Sequence, residues 1–523
     1  MFALIGLSSN AQQITFQKVY QGTHWGNYED DGYSVQQTSD GGYIMVGYIH
    51  LGVTGDTTNV YLIKTNSYGD TLWTRTYGGN YESEGYCVQQ TTDGGYIIAG
   101  ETQDFGAGSY DVYLIKTKST GDTLWTRTYG GPGADLGYTV RQTIDGGYII
   151  AGHTNEFGTP FNGWNTYLVK TDHNGDLLWT KSYGNGAMFQ EFGDYVQQTT
   201  DGGYIIGGTA SDTLSATANI LLMKTDSLGD ILWTKTYGGM FYGAYGGSVQ
   251  QTNDGGYVIT GMSDTGQVYL IKTNSVGDTL WTKGIGWGRG SAVQQTTDSG
   301  YIIVSTYTNP YTNTYLIKTN SIGDTLWTRM FGTNISNTNN PQDVAFDVHQ
   351  TSDGGYILCG YTITLSGIGW GGFYLIKTDS LGHSGCYEMT PPYMQNISQT
   401  PVGWISSEIS SGGTIGSHVA NVGREGIVTN LCSTEGIKEI TSNNSISLYP
   451  NPTSGTFTLS YNSQLSTINS QLKIYDVLGQ EVYTQPITNP NQTIINLPQL
   501  SNGVYFYQLN NNQESYRGKF VKD

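Results

Sequence analysis

The chain has 523 residues, 74 of them glycine and 41 tyrosine, and only 12% are charged. Lys and Arg number 23 against 42 Asp and Glu, a net charge of −19, which argues against a nucleic-acid partner and against an anionic membrane surface. Glycines for turns beside tyrosines and isoleucines for strands indicate an all-β protein.

Residues 1–11 carry a short apolar run, Phe2 to Leu7, followed by small residues up to Ala11. This reads as the remnant of a signal peptide whose basic leading region is missing. No later run reaches the length of a membrane span. From there the chain repeats itself. Asp-Gly-Gly-Tyr begins at Asp40, Asp93, Asp145, Asp201, Asp254 and Asp353, with a variant, Asp298-Ser299-Gly300-Tyr301. Seven copies spaced roughly fifty residues apart are the signature of a propeller or solenoid. Each repeat divides into four short strands, as in 88–91, 96–102, 112–117 and 123–129, separated by Asp-Gly and Gly-Asp hairpin signals. The runs Tyr-Ile-Ile and Tyr-Leu-Ile lack alternation, which suits strands covered on both faces.

The ends of the array distinguish a ring from an open stack. The fourth strand, with Leu-Trp-Thr, occurs six times, at Trp73, Trp125, Trp179, Trp233, Trp281 and Trp327, and the seventh repeat lacks it. Residues 14–22 supply a matching strand with Phe16 in the tryptophan's place. A strand lent from the N-terminus removes an open edge, so a seven-bladed β-propeller is expected over 12–388. The Val-Gln-Gln-Thr strand is then innermost, and the Asp-Gly-Gly and Ser-x-Gly-Asp turns share one uniform rim. Loops of varied length fall on the other rim, the usual place for binding.

Residues 389–442 have few apolar runs and read as a linker or small β module. Cys386 and Cys432 bracket it, and a disulfide between them fits an exported chain. Cys87 and Cys359 lie in repeat strands as buried thiols. Residues 443–523 show short alternating strands between Gly, Pro and Asn turns, the pattern of an immunoglobulin-like β-sandwich.

Two resemblances follow. The Asp-Gly-Gly-Tyr and Tyr-Leu-Ile-Lys-Thr units resemble those of bacterial exported propellers, and Gly-Asp-x-Leu-Trp is similar to the tryptophan-docking blades of quinoprotein propellers. The tail carries Tyr449, Pro450, Asn451, Pro452 and Gly455, then Asp476 and Gly479, then Gly503 and Tyr505. In this order it resembles the C-terminal sorting domain of the type IX secretion system. That resemblance implies Sec export, passage across the outer membrane of a Gram-negative bacterium, and a translocon and sortase as partners. It also implies loss of the tail, leaving a released or lipopolysaccharide-attached protein.

No zinc, calcium-loop or nucleophile-elbow motif is present, and no Cys-Cys pair supports a quinone cofactor; the expectation is a non-enzymatic protein without cofactor or metal. The sevenfold lysines (Lys64 to Lys377) and Gly-Asp aspartates read as structural: rim solvation or turn partners. Irregular loop carboxylates, among them Asp30, Asp31, Glu84, Asp135, Asp194, Asp343 and Asp347, read as solvated surface. The candidate ligand face is a set of variable-rim aromatics, Trp25, Tyr28, Tyr81, Trp164, Phe189, Tyr242, Trp287 and Trp370, which could stack on a glycan or contact a peptide or matrix protein. The alternatives are a structural or adhesin component without a small ligand, and a carbohydrate-active hydrolase or lyase using carboxylates at the ring's mouth.

Overall fold

Each Asp-Gly-Gly-Tyr segment closes a hairpin in the same way. Thr38 N–H donates to Gly42 O and Gly41 N–H to Thr38 O, with Gly41 at φ 81°. The Asp40 carboxylate accepts from Gly42 N–H (2.9 Å) and Thr38 Oγ1 (2.6 Å). It also meets Lys64 Nζ at 2.9 Å, and that ammonium donates to Thr65 O at 2.8 Å. A Cβ on Gly42 would stand 2.1 Å from Thr65 O, so only glycine admits the lysine to the turn. All seven lysines repeat the pairing, from Lys64–Asp40 to Lys377–Asp353. Six of them are only 4% exposed and Lys377 1%. They are buried turn partners, and the rim-solvation alternative falls. Ser299 holds the glycine position of the variant turn at φ 64°.

The structure is a computed structural model. It describes residues 13–22, 30–51, 57–156, 163–184, 189–212, 217–238, 246–263, 265–307, 312–332, 342–365, 371–389, 396–397, 408–410, 414–416, 427–433, 447–449, 455–460, 470–476, 480–487, 492–497, 499–510 and 515–522. These residues hold strands and no helix, so no helix among them is long and apolar enough to cross a membrane. Two units are distinct, Met1–Thr434 and Glu435–Asp523.

In the first unit seven antiparallel sheets follow one another along the chain. Sheets one to six each take four consecutive strands, from Asp31–Gln37 through Thr71–Tyr77 in sheet one to Arg289–Gln295 through Thr325–Phe331 in sheet six. Sheet seven has Asp343–Gln350, Tyr356–Thr362 and Gly372–Thr378, and its fourth strand is Phe16–Gln21, paired antiparallel from Phe16↔Lys377 to Tyr20↔Phe373. That lent strand makes the same kinds of contact as the others. Phe16 packs on Tyr43 as Trp73 packs on Tyr96; Tyr20 Oη donates to Gly69 O as Tyr77 Oη donates to Gly121 O. Lys18 reaches Asp70 (2.6 Å) as Arg75 reaches Asp122.

Every neighbouring pair of sheets shares one apolar cluster. Ile44, Val46 and Leu62 of sheet one meet Tyr96, Ile98 and Tyr113 of sheet two, and the series continues through sheet seven, whose Ile357, Phe373 and Leu375 meet Tyr43, Met45 and Tyr61 of sheet one. Hydrogen bonds run the same course. The last glutamine of each first strand accepts from a turn N–H of the preceding sheet, from Gln90 with Ser39 round to Gln37 with Ser352. The last of these seven bonds joins sheet seven to sheet one.

Residues after the last repeat do not stand apart as a module. Glu388–Met389 pairs with the outer strand of sheet six, Asn396–Ile397 with sheet five, and Glu408–Ser410 with sheet three. Thr414–Gly416 then pairs with sheet two, and Ile427–Ser433 lies along Phe16–Gln21 in sheet seven. This belt retraces the sheets in reverse order and gives five of them a fifth strand. Its pairing is through backbone groups, which need no apolar pattern. Cys386 is disulfide-bonded, Cys87 and Cys359 are free thiols, and Cys432, the fourth cysteine, stands in the last belt strand.

The second unit has a three-stranded sheet (Ser447–Tyr449, Thr456–Ser460, Gln492–Asn496) and a four-stranded one (Glu481–Ile487, Ser470–Tyr475, Gly503–Asn510, Ser515–Lys522). Phe457, Leu459 and Ile495 from the first share a core with Leu472, Ile474, Tyr505 and Phe520 from the second.

Candidate functional site

The first strands of the seven sheets surround a cavity of about 580 Å³, within the range of small-ligand sites. Four successive positions of that strand decide its lining. The residue three before the paired glutamines is Tyr33, Tyr86 and Tyr138 in sheets one to three, then Asp194, Gly247 and Ser291, then Phe346 in sheet seven. The aromatic members touch in series. Phe346 lies 5.1 Å from Tyr33, Tyr33 5.1 Å from Tyr86, and Tyr86 is stacked on Tyr138 at 4.8 Å and 19°. His153 continues the wall, 4.7 Å from both Tyr138 and Phe192. Each such pair adds about 0.5–1.5 kcal/mol beyond its buried area. Opposite this wall, where Gly247 and Ser291 stand, a second cavity of about 740 Å³ adjoins, sharing Tyr195, Arg289 and Phe346 with the first.

The polar groups fall into three sets. His153 Nε2 meets Asp194 Oδ1 at 2.6 Å. Asp347 meets His349 Nε2 at 3.2 Å and accepts from Val35 N–H (3.0 Å) and Ser34 Oγ (3.1 Å) of sheet one. Burial alone would raise the Asp347 carboxyl, but His349, the Val35 N–H and Arg141 outweigh it and hold the group below the usual carboxylate range. Arg141 Nη1 donates to Val140 O (2.8 Å) and to Cys87 Sγ (3.0 Å).

Behind Tyr86 lies a carboxyl pair. Glu84 and Glu101 face each other across neighbouring strands, and Tyr86 Oη donates to Glu84 Oε2 at 2.9 Å. Burial pushes Glu84 up to about 7 and, with the Glu84 charge beside it, Glu101 up to about 8. Neither lines the cavity. The other loop carboxylates are also buried rather than solvated: Asp30, Asp135 and Asp343 are 0% exposed and Asp31 8%. They gather loop N–H groups, as Asp30 does from Gly22 and His50 and Asp135 from Gly131. Glycine-rich loops leave such donors free, and a buried donor needs an acceptor.

The rim aromatics are not brought together. Tyr81 is 63% exposed and lines neither cavity. Trp164 touches His153 at 6.2 Å, so it backs the aromatic wall. Trp287, 56% exposed, lines the second cavity. Phe189 belongs to the strand Phe189–Gln198, and Trp25, Tyr28, Tyr242 and Trp370 lie outside the described residues. Among the described residues no group of three His, Cys, Asp or Glu side chains could hold a metal ion. In the second unit Gly455 has φ 112° and its carbonyl accepts from Leu497 N–H. Asp476 Oδ1 accepts from Gln480 N–H (2.9 Å), Gly503 opens a strand, and Tyr505 Oη donates to Ser501 O. Tyr449 ends the strand Ser447–Tyr449, while Pro450, Asn451, Pro452 and Gly479 lie outside the described residues.

Residues 447–523 match the family described as the secretion system C-terminal sorting domain; the tail is such a domain and directs the chain for export to the cell surface or beyond. No curated protein matches the chain. Among solved structures, the chain is similar to a protein of unknown function from Dyadobacter fermentans DSM 18053 at 11% identity, covering 70% of this chain and 99% of that one, with a TM-score of 0.39. It is also similar to puromycin hydrolase at 12% identity and a TM-score of 0.37, covering 66% of this chain and 51% of that one, so it spans about half the hydrolase's length. At these scores the likeness carries nothing about activity.

Proposed function

We propose that this chain is an exported, non-enzymatic binding protein: a seven-bladed propeller that holds a ligand in its axial cavity, followed by an immunoglobulin-like sorting domain. The observation that carries the reading is the aromatic wall of Phe346, Tyr33, Tyr86 and Tyr138 along one side of the cavity. Aromatic faces beside amide and hydroxyl groups suit the apolar face and hydroxyl edge of a sugar ring, so a glycan is the favoured ligand. Export by Sec and type IX machinery, with the tail removed at the outer membrane, places that site outside the cell.

A carbohydrate-active hydrolase is the second reading, favoured by the raised Glu84–Glu101 pair. Neither of these carboxyls lines the cavity, where the carboxylates are Asp194 and Asp347, each beside a histidine. The test is a glycan panel titrated against the full chain, with reducing-end release measured in parallel. Saturable binding weakened at least tenfold by Tyr138→Leu, without glycan cleavage, is the expected result. Saturable binding that Tyr138→Leu leaves unchanged would refute the site.

A further inference from the structure

The repeat breaks its own rule at two cavity positions. The first glutamine of the pair, Gln36, Gln89, Gln197, Gln250 and Gln294, accepts through its side chain from a backbone N–H of the next sheet in five sheets. In sheets three and seven that position is Arg141 and His349. A structural inter-sheet bond has been given up there, and a basic side chain lines the cavity instead.

The two sites differ in how their charge is met. His349 has Asp347 at 3.2 Å. Arg141 has no carboxylate within ion-pair distance among the described residues; it donates to a carbonyl and to the Cys87 sulfur. Asp347 is engaged by His349 and by sheet one. Asp347, beyond ion-pair distance, is the carboxylate that Arg141 acts on, and an entering anion that bonds the guanidinium directly gives it a closer partner. Arg289, exposed, lines the same cavity. Arg75, Arg127 and Arg329 by contrast cover the repeat's own tryptophans. In a chain of net charge −19, Arg141 and Arg289 put two cations on a cavity whose two carboxylates, Asp194 and Asp347, each lie beside a histidine.

Resting on the glycan reading above, we infer that the axial cavity selects acidic sugars, with a carboxylate or sulfate of the ligand seated on Arg141 and a ring against the Tyr86–Tyr138 wall. Arg141 is the specificity-determining residue, and neutral sugars of the same length bind more weakly.

The experiment is calorimetric titration of the full chain with three probes: tetragalacturonate, a sulfated heparin tetrasaccharide, and neutral galactotetraose. The expected result is preference for one acidic probe, falling as salt rises. R141Q, which restores the side chain five sheets carry, should lower that affinity roughly 10- to 100-fold, a larger loss than for the neutral probe; the acidic probe that responds identifies carboxylate or sulfate. Equal binding of acidic and neutral probes, or an R141Q titration like that of the native chain, overturns the inference while the glycan reading stands. Absence of binding by all three overturns the inference too, and Tyr138→Leu against the wider glycan panel then judges the glycan reading separately.

Discussion

Glu101 gives the sharpest test of the aromatic wall's support. Its carboxyl rises from an ordinary 4.5 to about 8, so it is neutral in the folded protein at pH 7 and ionised in the unfolded chain. A raised acid contributes stability fully below its unfolded value, and that contribution is lost as pH rises through 4.5 towards 8. The gap of about 3.5 units, at about 1.4 kcal/mol each, sets a ceiling of ~5 kcal/mol. Solvent reaching the cavity mouth reduces this, and ~2–3 kcal/mol is expected. Glu101→Gln keeps the shape and an acceptor for Tyr86 and removes the titration. It should match the native chain below pH 4.5 and exceed it by ~2–3 kcal/mol near pH 9. Urea unfolding followed by tryptophan fluorescence reads this directly, because all 11 tryptophans precede residue 435 and report the first unit alone. A constant difference between native and variant across pH 4–9 would refute the assignment of a neutral, buried Glu101.

Ser299→Gly relieves the one non-glycine turn held at φ 64°, and a gain of about 0.5–1 kcal/mol in the same urea assay is expected. Cys386→Ser removes the bond at the start of the belt and should cost ~2–4 kcal/mol, seen as a lower Tm in the variant and in dithiothreitol-treated native protein. Burial alone would raise Asp93 and Asp254, but their lysines, the adjacent threonines and turn N–H groups bring both to about 2. A lowered acid stabilises above its unfolded value, so the first unit should lose stability as pH falls from 3.8 towards 2, and circular dichroism at 20 mM and 500 mM salt should show it.

The four-strand repeat was legible because its turns are local chemistry: a glycine at positive φ, an aspartate over it, and a lysine two strands on. The lent strand was legible from Phe16 standing where the repeats place tryptophan. The belt was not, since four of its five strands are two or three residues long and pair through backbone groups that leave little side-chain pattern. The cavity was missed for a different reason. Attention to loops that vary in length overlooked variation inside a strand of constant length, where aligning the seven copies shows Tyr33, Tyr86, Tyr138 and Phe346 against Gly247 and Ser291, and Arg141 and His349 against five glutamines. The loop carboxylates looked like surface because charge usually is; glycine-rich loops turned them inward.

The reversed belt also determines how the molecule bears load. The sorting unit begins directly after it, so a pull on that unit reaches Ser433 first, and Ser433 is paired with Phe16 at one end of the ladder that ends at Gln21↔Ile427. With the bond at Cys386 reduced, tension there opens antiparallel pairs one at a time, as in a zipper, before it reaches sheets two, three, five and six in turn. With the bond formed, Cys432 being the cysteine left to partner Cys386, the pull passes from the last belt strand directly to the start of the belt and spares the strands between. The redox state of that bond thus decides whether the outer strap is shed before strain arrives at the cavity.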